Sequence, residues 1–479
     1  MKMFQTNRLA GAALAGTVIA SLMSITAGID ISAIAASDVI HRDVAVIGGG
    51  ASGAYGAVRL SQLGKSVVVV ERKPVLGGHT ETYTDPVSGN STEMGVVAWY
   101  DTPTVKNFFA SLNVGLKTTD VQRAGFTTLT TIPVDFRTGE LVTSIYEGNV
   151  TQGLLNYAAQ VAKYPYLEDG FNLTYPVPAD LLLPFGEFVK KYDIAGAIQV
   201  ITVFANGIGR ILDQLTLYVF KLVSLQAIVA LQEGNYQSAV SGKNHEIYEA
   251  AQAKLGADAL VNSQVLAVQR NATGSGVAVL VNTPTGVKLI KAKKLLLAIP
   301  PKLDNLAGFD LDATERALFG QIQNVGYYAA IINDTGIPDA VELRNFGVDS
   351  PWNVPALPGP YFIQAANTAG LFSVKYNSPV QISDDQVKTE IVAALNRVKA
   401  AGSVNTTAVT TPHFVEYHSH APFAFNVPAA AIQDGFYTHL YALQGRKNTF
   451  WTGAAFHAQD SSKLWEFTEK LLPAITEGI

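Results

Sequence analysis

There is no cysteine among the 479 residues, and its absence excludes disulfides, thiolate metal sites, cysteine nucleophiles and any redox-active dithiol. Charge is also scarce, at 15% of residues against 48% apolar, and the mildly acidic balance of -5 contains no basic cluster. That composition belongs to a compact globular protein and lacks the electrostatic footprint of a nucleic-acid binder. A G-x-S-x-G turn between strand and helix is missing too, so a serine-hydrolase reading fails. Without cross-links, stability must come from core size, and a chain of this length is expected to form two or three domains with room for a cofactor between them.

What is present begins with a targeting pattern. Lys2 and Arg8 precede residues 9–29, which are uncharged and rich in Ala, Gly and Ser, and small-residue cleavage sites are available at Ala27 or Ala35. The pattern predicts a signal peptide over 1–35 and a secreted protein. A retained membrane anchor is the rival reading, although small residues leave this stretch only weakly hydrophobic. Six N-x-S/T sequons, at Asn90, Asn149, Asn172, Asn271, Asn333 and Asn405, fit a glycoprotein passing through a eukaryotic secretory route.

Residues 43–71 read as strand, tight turn, helix and strand. The apolar runs 44–47 and 67–70 suit parallel strands buried on both faces. Between them lies Gly48-Gly49-Gly50-Ala51-Ser52-Gly53, then a helical pattern of Gly53, Ala57, Leu60 and Leu63 that Gly64 ends. In this motif Gly48 permits the tight turn, Gly50 lets backbone approach a pyrophosphate, and Gly53 lets helix and strand pack closely. The helix N-terminus offers amides and a positive dipole end to phosphates. Glu71, 18 residues beyond Gly53, closes the second strand where a carboxylate can accept both ribose hydroxyls and would repel a 2′-phosphate. Strand, helix and acid together point to dinucleotide binding, whereas three glycines alone would be compatible with a bare turn.

Further along, 154–231 reads as mostly helical. Its apolar part, 195–231, is interrupted by Arg210, Asp213 and Lys221 and so suits a buried helix pair better than a membrane span. Gly207-Ile208-Gly209 reads as helix packing. Residues 261–299 return to strands around the turn Thr283-Pro284-Thr285-Gly286, 327–333 reads as another strand, and 449–451 leads into a helix over 461–472.

Glu71-Arg72-Lys73-Pro74-Val75-Leu76-Gly77-Gly78-His79-Thr80 resembles the extended fingerprint of the flavin-containing amine oxidase superfamily. KKLLLAIPP at 293–301 resembles its A-x-P-P strand, and TFWTGAAFHAQDS at 449–461 its C-terminal flavin segment. The secretion signal and the L-G-G-H-T-E-T wording look most like fungal oxidoreductases related to β-cyclopiazonate dehydrogenase. The resemblance implies FAD as cofactor, with Gly48, Gly50, Ser52 and Gly53 at the pyrophosphate and Glu71 at the adenosine ribose. It places Arg72 by the adenine, Gly78 and His79 near the phosphates, the Val265 backbone at adenine, residues 94–97 by the isoalloxazine, and Gly453 to Phe456 at the ribityl and pyrimidine end. Ala454 departs from the acid usual after that glycine. The lysine that many members carry on the strand after A-x-P-P is replaced by Tyr327 or Tyr328, so a phenol there would give no cation to charge developing on the flavin.

Remaining chemistry-bearing residues have blander alternatives. His413, His418, His420 and Glu416 are dense enough to suggest zinc, but a flavoenzyme needs none, and pocket acid/base histidines or ordinary hydrogen-bonded ones fit better. Trp99 and Tyr100 fit the substrate cavity and the core equally well. The sequence thus predicts an α/β fold in which a discontinuous Rossmann-type FAD-binding domain (38–95, 240–310 and 440–479) joins an α+β substrate domain (96–239 and 311–439). The expected function is oxidation of a small, secondary-metabolite-like molecule, selected by an apolar cavity with Tyr327, Tyr328, His418 and His420, and not simple primary-amine oxidation. Dioxygen or a diffusible acceptor would take the electrons, with no nucleic-acid or membrane partner and no metal. A flavin monooxygenase would need a route for NAD(P)H, for which no second motif exists. A non-catalytic FAD-binding protein would hold flavin that no reductant reduces.

Overall fold

The computed structural model describes residues 34–119, 129–270, 276–406 and 411–479. Asn271 and nearly all of the expected signal peptide lie outside them.

The strand Val39–Ile47 ends in four fully buried residues because it is covered on both faces and paired on both edges. Val67–Val70 runs parallel on one side and Gly286–Leu297 on the other, with Ala45 level with Val68 and Leu295. The full strand order is Ala259–Leu260, Val67–Val70, Val39–Ile47, Gly286–Leu297, Val277–Thr283, Gln264–Arg270. At 12 residues, Gly286–Leu297 is long enough to do two jobs. Its first part forms an antiparallel hairpin with Val277–Thr283, and Leu295 to Leu297 pair in parallel with Thr449–Trp451. One sheet is thereby sewn from strands at the start, middle and end of the chain.

The helix Ala51–Gln62 lies on this sheet against the final helix Ser461–Thr476. Tyr55 stacks on Trp465 at 5.7 Å, its hydroxyl donates to Glu469 at 2.6 Å, and Arg59 pairs with the same carboxylate at 2.9 Å. Gly56 is needed here because a Cβ would come within 2.7 Å of Leu296.

A second sheet has the order His413–Ser419, Gln323–Asn333, Phe372–Ser378, Gly359–Ala365, Val341–Asn345, Thr130–Val134, with Phe423–Asn426 also paired to Gln323–Asn333. The helix Asp384–Ala400, started by a Ser383/Gln386 capping box, buries Val387, Ile391, Ala394, Leu395 and Val398 on one face of it. Strand alternation sends Tyr328, Ala330 and Ile332 to that helix, while Ala329 and Ile331 pack on Met94 from the opposite face, which Tyr327 shares.

The stretch 195–231 is not a helix pair. Short helices Ile198–Phe204, Thr216–Leu222 and Leu225–Glu233 are separated by turns, and Gly207 (φ 93°) and Gly209 (φ 85°) are left-handed turn residues rather than helix-packing ones. Among the described residues no helix is long and apolar enough to cross a membrane. A cavity of about 1200 Å³ opens between the carboxyl ends of the first sheet's parallel strands and the uncovered face of the second.

Candidate functional site

The first glycine turn forms the cavity floor. Gly48 has φ 96°, and a Cβ there would meet Ile299 at 2.7 Å; a Cβ on Gly53 would sit 1.8 Å from the Gly48 carbonyl oxygen. Both glycines are therefore demanded by the protein's own packing. Gly50 is not: its backbone is extended and its Cβ would find only the Gly78 Cα, at an ordinary 3.6 Å. The glycine at 50 keeps open a space that belongs to the cavity.

Gly50 is the N-cap of Ala51–Gln62 with no side-chain cap, which leaves the first helical amides available. Beside them the Ser52 hydroxyl is buried, lines the cavity and has no partner. Orphaned donors at a helix N-terminus match a pyrophosphate in kind and in sign of charge. Glu71 braces the turn by accepting the Gly49 and Lys73 N–H groups at 2.7 Å each, and its carboxylate lines the cavity with Arg72 and Val265. At the far end Gly453 and Ala454 reach the wall where Ser461–Thr476 begins, capped by Asp460. The residues present thus fit an extended FAD from Glu71, past Gly50 and Ser52, to Gly453.

The opposite wall carries the groups available for chemistry. Glu81 is the hub: its carboxylate meets His420 Nε2 at 2.7 Å, His418 Nδ1 at 3.1 Å and Lys73 at 2.5 Å. Burial alone would raise its pKa, but the hydrogen bonds from both histidines and the charge of Lys73 outweigh burial and hold it well below the carboxylate range. His420 is 1% exposed, and burial pulls its pKa down against the pull of Glu81. A neutral imidazole beside an ionised carboxylate must carry its proton on the bonded nitrogen, Nε2, which leaves Nδ1 as a lone-pair acceptor. The His420 ring stacks on His79 at 4.7 Å and lies 5.7 Å from Tyr327; Phe423 completes the cluster, 4.9 Å from Tyr327.

Several expectations change here. Tyr328 does not reach the cavity, because alternation points it under the helix Asp384–Ala400, where its hydroxyl donates to Ile382 O at 2.8 Å and accepts Ile382 N–H at 2.9 Å. His418 stops short of the cavity, held between Glu81 and Glu416 (3.0 Å). Phe456 turns into the core between Trp451 and Tyr441, leaving Gly453 to Ala455 at the wall. Trp99 and Tyr100 are core residues. Met94 buries its side chain, while Gly95 to Ala98 line the cavity. His413 lies level with Asn333, at the other end of its strand from His418, and among the described residues no group of three His, Asp or Glu could hold a metal ion.

Sequence reasoning missed three residues. Glu81 stood inside the L-G-G-H-T-E-T wording but was given no role. Glu93 is half-buried and pushed up to about 7 by desolvation; it accepts from Thr82 and from Asn244 N–H at 2.7 Å each, while Asn244 donates to the Val96 and Val97 carbonyls that border the cavity. Lys375 is 7% exposed, lines the cavity and donates to the Met94 carbonyl. It lies across from Ala329 on the strand beside Tyr327, so the absence of a cation on the tyrosine's own strand does not leave the cavity without one. The signal was alternation: Ser373, Lys375 and Asn377 share the polar face of Phe372–Ser378, and a polar face reads from sequence as a solvated one.

Known proteins resemble the chain along nearly its whole length. Residues 46–112 match the model of an NAD(P)-binding Rossmann-like domain. The FAD-dependent oxidoreductase oblC of Cochliobolus heterostrophus is 39% identical over 456 residues, 92% of each chain. A beta-cyclopiazonate dehydrogenase of Aspergillus oryzae is 35% identical over 454 residues, covering 94% of this chain and 95% of that one. Among solved structures, a CLA-producing fatty acid isomerase from P. acnes superposes with a TM-score of 0.71 at 17% identity, covering 91% of this chain and 99% of that one. A putrescine oxidase double mutant does so with 0.61 at 18%, with the same coverages. The fold is that of the flavin amine oxidases, and the chain belongs to the family of fungal FAD-dependent oxidoreductases that includes beta-cyclopiazonate dehydrogenase.

Proposed function

We propose that this FAD-dependent oxidoreductase removes a hydride from a C–H bond beside nitrogen or oxygen in a small secondary-metabolite-like molecule, and that His420 takes the accompanying N–H or O–H proton. The supporting observation is His420 on the cavity wall, bonded through Nε2 to Glu81 behind it; burial keeps its ring neutral and the pairing leaves Nδ1 as a free acceptor. FAD, when bound, supplies the two-electron acceptor for the hydride. Gly50, Ser52 and Glu71 hold its pyrophosphate and ribose, with Gly48, Gly53 and Gly78 shaping the turns. Arg72 and Val265 border the adenine end, and Gly453 the other. Tyr327, His79 and Phe423 give the substrate aromatic faces to lie against and exclude water from the reacting bond. Two electrons and two protons leave the substrate in all, and dioxygen or a diffusible acceptor finally receives the electrons.

The test is anaerobic bleaching of the bound flavin across amines, alcohols, indoles and prenylated aromatics. Bleaching by a member of the last three groups, slowed in His420→Asn, is expected; efficient turnover of benzylamine or short alkylamines would refute the substrate assignment. Residues 1–35 are proposed to direct secretion, with glycans on the exposed Asn90, Asn149, Asn172 and Asn405. Recovery of an unprocessed, unglycosylated chain from the fungal culture's cells alone would overturn that reading.

A further inference from the structure

Lys375 is a buried cation without a counter-ion in contact. Its ammonium has three donors, and one carbonyl, that of Met94, accepts from it. Among the described residues no carboxylate lies within 4 Å of it, although Glu81 and Glu93 both sit close enough to act on it electrostatically. Those two acids are committed elsewhere, Glu81 to His418, His420 and Lys73 and Glu93 to Thr82 and Asn244. A buried charge with incomplete pairing is costly, so a protein that keeps one in a cavity wall has a use for it.

We propose that Lys375 is an anion anchor, and that the substrate carries an acidic oxygen, a carboxylate or an acidic enol, which completes its pairing. This rests on the reading of the cavity as the oxidation site and narrows the substrate class. The anchor lies across from Ala329, two residues along the strand from Tyr327, so the substrate's acid binds beside the Tyr327 and His420 cluster and turns the oxidisable bond toward it. Among the groups facing Lys375, Glu81 and Glu93 favour its charged form and the neutral His420 adds no charge, but desolvation outweighs the two acids and leaves its pKa pulled down to about 8. The charged form, and with it anion binding, prevails below that pH and is lost above it.

The experiment uses the FAD-loaded protein and two probes of one shape, 3-phenylpropionate and its neutral amide, titrated by calorimetry and by the change in flavin absorbance. The carboxylate is expected to bind at least about tenfold more tightly than the amide at pH 7, and to weaken between pH 7 and pH 9.5 by about sevenfold or more, up to the limit of about 30-fold that deprotonation of a group near 8 sets. Lys375→Met should abolish the discrimination, and Lys375→Arg should restore part of it. Equal binding of both probes by wild type overturns the proposal, and this comparison stands even if Lys375→Met does not fold. An altered flavin midpoint potential in ligand-free Lys375→Met, with anion preference intact, also overturns it, because the cation would then serve the reduced flavin. Failure of the oxidation-site reading looks different: no candidate substrate bleaches the flavin, whatever the probes do.

Discussion

The three glycines of the first turn should separate into two classes on substitution. A Cβ at Gly53 falls 1.8 Å from the Gly48 carbonyl oxygen and 3.0 Å from its carbon, both rigid backbone atoms. Gly53→Ala should therefore cost on the order of 4 kcal/mol or more, a large part of a typical domain's stability, and give little soluble protein. At Gly50 the backbone is extended and the Cβ makes one ordinary contact, so Gly50→Ala should change the stability of flavin-free protein by less than about 0.5 kcal/mol. The same methyl occupies the approach of a pyrophosphate to the helix amides. Displacing at least two charge-assisted hydrogen bonds, about 1.5–3 kcal/mol each, weakens FAD binding a hundredfold or more. The assay pairs the flavin-to-protein absorbance ratio after gel filtration with thermal melts of flavin-stripped protein. Gly50→Ala should melt like wild type yet lose flavin, and Gly50→Val should lose it completely. Full flavin content in Gly50→Val would refute the assignment of this turn to the cofactor.

Tyr328→Phe should leave flavin reduction unchanged while destabilising the protein by about 1–3 kcal/mol, since both bonds to Ile382 are lost; Tyr327→Phe should slow reduction instead, and the opposite pattern in stopped-flow and melting data would exchange their roles. Glu81→Gln should slow reduction about 100-fold, because the amide no longer selects the His420 tautomer with Nδ1 free; a rate near wild type removes the pair from the mechanism. Because the His420 pKa is depressed, its basic form persists on acidification, so the wild-type reduction rate should hold from pH 8 down to about 6.5 and fall only below that; a fall that begins above pH 7 contradicts the assigned protonation. His79 stacks on His420, and non-covalent flavin is expected, so acid precipitation should leave a colourless pellet. Yellow colour that persists in the wild-type pellet and disappears in His79→Ala would identify a covalent tether instead.

Local rules carried the sequence a long way where the chemistry is local. The turn from Gly48 to Gly53, the buried strands beside it and Glu71 are dictated by neighbours a few residues apart, so the βαβ unit and its taste for a dinucleotide were legible in the letters alone. The helix Ser461–Thr476 and the hairpin turn at 283–286 were legible for the same reason. Which face of a strand looks into a cavity is a different kind of fact. Tyr327 and Tyr328 are adjacent and chemically identical, and alternation guarantees that only one can line the cavity, but the position of Asp384–Ala400 decides which. The same packing turned the polar face of Phe372–Ser378 inward and made Lys375 a buried group. Glu81 and His420 are 339 residues apart and meet only because a loop from the first sheet is pressed against the end of a strand from the second. Residue type and spacing determined what this protein binds, whereas the docking of two sheets across a cavity decided which side chains could act on a substrate there.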